Sequence, residues 1–81
     1  MKLPRDVSGR KLVKALAVLG YRVTRQSGSH VSVTCEKPAQ HHVTIPDHDE
    51  LRIGTLSAIL NDIAAHHGLS REMLIEKLFG R

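Results

Sequence analysis

Tyr21-Arg22-Val23-Thr24-Arg25-Gln26-Ser27-Gly28-Ser29-His30-Val31-Ser32-Val33-Thr34-Cys35-Glu36 holds two alternating runs joined by a short turn sequence, and the architecture of the whole chain turns on it. Residues two apart share a face of a strand, so Tyr21 and Val23 oppose Arg22, Thr24 and Gln26, and Val31, Val33 and Cys35 oppose His30, Ser32 and Thr34. Ser27-Gly28-Ser29 suits a tight antiparallel hairpin, and Lys37-Pro38-Ala39-Gln40 suits a second one. A third strand, His41 to Ile45, puts Val43 and Ile45 on the apolar face and His42 and Thr44 on the other, and Pro46 ends it. Three such strands predict a sheet with Val23, Val31, Val33, Val43 and Ile45 covered and Arg22, Thr24, Gln26, His30, Ser32, Thr34, His42 and Thr44 left open to water.

Helices flank the sheet. Ser8 is placed to cap a helix carrying Leu12, Val13, Leu16 and Leu19, and Gly20 stops it. Lys11 and Lys14 lie toward its polar side. After the polar Asp47-His48-Asp49-Glu50, Gly54-Thr55 opens a helix with Leu56, Ile59, Leu60 and Ile63 at helical spacing, and Gly68 closes it. Ser70 caps a last helix bearing Met73, Leu74, Leu78 and Phe79, which either complete the core or make a homo-oligomer contact. The expected architecture is α+β in the order α-β-β-β-α-α, with the helices packed on one sheet face.

The chain of 81 residues, 41% of them hydrophobic, is expected to form one domain over residues 1–81. A domain of this size buries only about 60–65% of the surface its unfolded chain exposes. Twelve Lys and Arg against eight Asp and Glu give a net charge of +4, a bias toward polyanions or an acidic protein partner. Tyr21 and Phe79 are the only aromatics, which argues against a module that stacks bases on aromatic platforms and favours contact with the nucleic-acid backbone. The one cysteine, Cys35, forms no internal disulfide, and the opening residues lack the apolar run of a signal peptide. Nothing approaches the roughly 18 apolar residues of a membrane span. A cytoplasmic protein is expected, with no membrane contact.

The turn delivers His30 to the first position of the second strand. Imidazole is the side chain whose ordinary pKa, about 6.5, suits proton transfer near neutral pH. Beside hydroxyls and arginine, such a histidine suits phosphate chemistry; the alternative is a turn histidine bonded to backbone. Arg22, Arg25 and Lys11 are the cations read as phosphate holders, with Gln26 and Ser29 beside the motif. His42 and His48 are candidates for a second acid or base. Six histidines invite a metal reading. His41 and His42 point to opposite faces of a strand, however, and His66 and His67 lie about 100° apart on a helix. Neither pair is a ready chelate, and Asp47-His48-Asp49-Glu50 reads as solvated charge, so no metal and no cofactor is expected. Cys35 alternates with valines and reads as a small buried residue.

The order of elements, together with Ser8-Gly9, Arg25-Gln26-Ser27-Gly28-Ser29-His30, Val43-Thr44-Ile45-Pro46 and Gly54-Thr55-Leu56, resembles the HicA, or YcfA-like, toxin family over roughly residues 6–79. The resemblance implies a fold similar to the double-stranded RNA-binding domain and an mRNA-cleaving endoribonuclease whose catalytic histidine is that of the Gly-Ser-His motif, here His30. It also implies a HicB-like antitoxin as protein partner. Two features depart from the family pattern. The polar insert before Gly54-Thr55-Leu56 is short, and Asn61 to His67 adds about one helical turn. Two other functions fit the sequence: a non-catalytic RNA-binding module, and a helix-turn-helix made by the last two helices. Arg71, Glu72, Glu76 and Lys77 give the latter no basic recognition face.

Overall fold

A computed structural model describes residues 3–80. The elements run α1 (Gly9–Leu16), a 3₁₀ turn (Ala17–Leu19), β1 (Arg22–Ser27), β2 (His30–Cys35), β3 (His41–Pro46), α2 (Ile53–His67) and α3 (Arg71–Phe79). The strands form one antiparallel sheet in the order β1-β2-β3, so β2 is central. This is the α+β order expected from the sequence. Among the described residues, no helix is long and apolar enough to cross a membrane.

Local chemistry sets the helix starts. The Ser8 hydroxyl accepts from the Lys11 amide at 3.0 Å, and Ser70 accepts from Met73 at 3.1 Å, each satisfying an amide that the first helical turn leaves without a partner. The helices cover one face of the sheet, where Val31, Val33, Val43 and Ile45 meet Leu12, Leu16, Leu56, Leu60, Ile63 and Leu74 in one core. Each fully buried aliphatic side chain contributes about 1.5–3 kcal/mol relative to exposure. Backbone bonds from Gly9 to the His48 carbonyl (2.9 Å) and from Leu51 to the Val7 carbonyl (2.8 Å) stitch the start of α1 to the loop after β3.

Expectations about sides need correction at several positions. On the last helix, Leu74 and Ile75 are buried while Met73 is 54% exposed, so Met73 is not part of the core. In β1 the register slips between Val23 and Arg25: Val23 pairs with Val33, but Arg25 pairs with Ser32 and Gln26 with Val31. Thr24 and Arg25 together oppose Ser32, which is a β-bulge. The extra residue reverses the parity of the rest of the strand, so Gln26 leaves the open face and Arg25 takes its place there. Val23 keeps its expected face yet is 51% exposed, because β1 is the edge strand and Val23 lies in a shallow groove with Val13, Lys14, Gln26 and Val31.

Candidate active site

Ser27 pairs directly with His30, so Gly28 and Ser29 form a two-residue hairpin loop. Gly28 has φ 58° and is the glycine with positive φ in this loop, the pattern of a turn that needs glycine at its first central position. The Ser29 carbonyl accepts the Asp47 amide at 2.6 Å, and His30 pairs with Pro46 across to β3. His30 is therefore held at the end of the central strand by both neighbours while its side chain stays exposed.

The open face beside it is polar. Thr34, expected open to water, is instead only 2% exposed, with its hydroxyl 2.9 Å from that of Thr24 and 2.8 Å from His42 Nδ1. This chain satisfies a buried hydroxyl that would otherwise cost about 1–3 kcal/mol. Arg25, brought over by the bulge, lies diagonally across from His30 at a spacing of roughly 7–8 Å between backbones, within reach of a long side chain.

Of the other residues read from the sequence, Arg22, Gln26, Lys11 and His42 do not gather at His30. Arg22 is on the open face but at its far end, opposite Thr34, with its guanidinium 3.6 Å from Glu36. Gln26 faces the helical side. Lys11 is exposed on α1 beside Leu78 and Phe79, on the side of the molecule away from the open face. Ser29 stays within the turn. His42 pairs with Thr34, four positions along from His30 and about 13 Å away, too far to share a proton with it. His48 sits in the loop that leaves β3 beside the Ser29-His30 turn. That loop is also braced by Arg10, which contacts Asp47 at 3.1 Å and Asp49 at 3.0 Å.

At the opposite end of the sheet lies a group that pairwise spacing within elements did not reveal. The Tyr21 hydroxyl is 2.7 Å from His41 Nδ1 and 3.0 Å from His67 Nε2, and Cys35 Sγ is 3.9 Å from His67 Nε2. Burial pushes the Tyr21 phenol well above the ordinary tyrosine range, which keeps its proton on oxygen. Burial, with His66 and His41 alongside, lowers the pKa of His67. The folded chain thus holds His67 neutral where the unfolded chain protonates it. Stability is complete above the ordinary histidine value near 6.5 and falls as pH drops below it toward the folded value. Urea midpoints measured with a chelator present should be lower at pH 5.5 than at pH 7.5, and His67→Gln should shrink that difference; an unchanged difference would contradict this assignment.

The family model for HicA toxins of bacterial toxin-antitoxin systems matches residues 9–64, more than half of the chain. No curated protein and no solved structure matches it. The matched span runs from the first residue of α1 through the hairpin with His30 and into α2. With that match over α1, the whole sheet and most of α2, the chain belongs to the HicA toxin family.

Proposed function

We propose that the chain is an endoribonuclease toxin that cuts mRNA in the cytoplasm, with His30 as its catalytic proton-transfer residue, and that a HicB-like antitoxin holds it inactive. One observation carries this reading: His30 is exposed on the polar, helix-free face of the sheet, inside the span that the family matches. RNA cleavage of this kind removes a proton from a 2′-hydroxyl, forms a bond from that oxygen to phosphorus, and gives a proton to the departing 5′-oxygen. His30 supplies one of the two transfers. His48 is the better placed of the two candidates for the other, and Arg25 offers charge to the pentavalent phosphate.

The test uses purified chain, a labelled RNA and a chelator. Fragments are expected with the chelator present, and a 2′-deoxy substitution at the cut position should abolish that cut. RNA binding without fragments would support the non-catalytic module instead. Within this reading, Arg25→Ala should weaken RNA binding and reduce its salt dependence by about one counterion's worth, as measured by titration at several salt concentrations. Gln26→Ala should leave both unchanged.

A further inference from the structure

We propose that Cys35, His41 and His66 form a binding site for a thiophilic divalent cation, with zinc as the best match, where the sheet meets the C-terminal end of α2. One donor atom from each residue lies within 4.8 Å of the other two. The three come from three elements: Cys35 ends β2, His41 starts β3, and His66 is in the last turn of α2. His66 also lies beyond residue 64, the last that the toxin family matches. The site belongs to the C-terminal end of α2 rather than to the hairpin of His30.

The donor set selects the ion. One thiolate and two imidazoles suit zinc, which takes sulfur at about 2.3 Å and nitrogen at about 2.0–2.1 Å. Tetrahedral coordination at those lengths sets donors about 3.3–3.6 Å apart, so the triangle has to close by little more than an ångström. Cys35 is fully buried, while His41 and His66 are half-buried and give the ion a route from solvent.

Both rings already carry the outer contacts that metal-bound histidines use. His66 Nε2 donates to the Ala39 carbonyl at 2.8 Å, and His41 Nε2 faces Asp62 Oδ2 at 3.3 Å. A proton fixed on that nitrogen leaves the other ring nitrogen with its lone pair. The two rings are stacked, 4.2 Å apart at 12°. When His41 Nδ1 binds a cation, the Tyr21 hydroxyl hands its hydrogen bond to His67. Binding releases the Cys35 thiol proton to solvent, and a water completes the tetrahedron. The ion would pin α2 to the sheet across the second hairpin.

The test titrates cobalt(II), then zinc, into chain without an affinity tag. One equivalent of cobalt should produce a thiolate-to-cobalt charge-transfer band in the near ultraviolet, and zinc should bleach it. Cys35→Ser should lose the band, and His66→Gln should weaken binding at least tenfold; His66 sits at a helix end, so this variant keeps the test decisive should the buried serine impair folding. His42→Ala, on the opposite sheet face, should retain the band. Absence of binding at stoichiometric cobalt, binding without the band, or a band that survives both Cys35→Ser and His66→Gln would overturn the proposal.

Discussion

Replacing Gly9 by alanine is expected to destabilise the chain by about 1–3 kcal/mol, although the same change inside a free helix is favourable by about 0.5–1 kcal/mol. The reversal comes from packing. A Cβ at Gly9 would overlap the Pro46 carbonyl oxygen and would stand 3.0 Å from the Pro46 carbonyl carbon and 3.1 Å from Asp47 Cα. All three are backbone atoms, so no side-chain rotation relieves the clash. Nor can the loop easily withdraw. It is tied by the Gly9–His48 bond (2.9 Å), the Asp47–Ser29 bond (2.6 Å) and the Leu51–Val7 bond (2.8 Å). In a domain of this size the loss corresponds to a Tm lower by roughly 4–24 °C. Gly54→Ala is the control, because a Cβ there meets nothing within 4 Å. If Gly9→Ala melts with wild type while Gly54→Ala behaves as expected, α1 does not approach β3 as described.

The largest effect on activity is expected at His30. Its removal should lower the RNA cleavage rate by about 10²–10⁴-fold, the usual contribution of one positioned acid or base, while RNA affinity stays within a few-fold of wild type. The separation comes from position. His30 is one exposed ring at the end of β2, whereas the proposed contact with the phosphate backbone would be spread over Arg25 and exposed hydroxyls of the open face. The fold should be untouched: the pairings of residue 30 with Ser27 and Pro46 are made by backbone, and the His30 side chain is exposed. In cells, induction of the His30→Ala chain should no longer arrest growth, and the variant should still bind a HicB-like antitoxin through the rest of its surface.

The sheet was legible because its buried aliphatic residues obey parity, although Thr34, of the opposite parity, is buried too. Val31, Val33, Val43 and Ile45 recur at every second position on the two strands that carry the core, and a slip of one residue there would expose all of them. β1 has no such anchor. Every residue from Arg22 to Ser27 is exposed, so hydrophobic burial fixes no register, and the bulge at Thr24 leaves no mark in the sequence. That one residue decides which of Arg25 and Gln26 stands beside His30. The helix ends were readable for a different reason, since Ser8 and Ser70 act within three residues of themselves.

The cluster at the other sheet end was missed because it is tertiary. His41 and His42 diverge, and His66 and His67 diverge, as local geometry requires. His41, His66 and His67 nevertheless all meet at Cys35 once α2 lies across the sheet. A signal existed in the sequence: Cys35 and His41 share the parity of the core face at the two sides of one hairpin, and α2 ends in two histidines. Only the packing angle of α2 was needed to join them.

The decisive experiment on His30 is single-turnover cleavage of a labelled RNA at protein concentrations that saturate binding, run in parallel for wild type and His30→Ala with a chelator present. Both proteins are expected to bind the RNA, and only wild type is expected to convert it to fragments at an appreciable rate. Equal rates of cleavage by the two would remove His30 from the chemistry, and bound but uncut RNA with wild type would contradict the assignment of this open sheet face as a nuclease site.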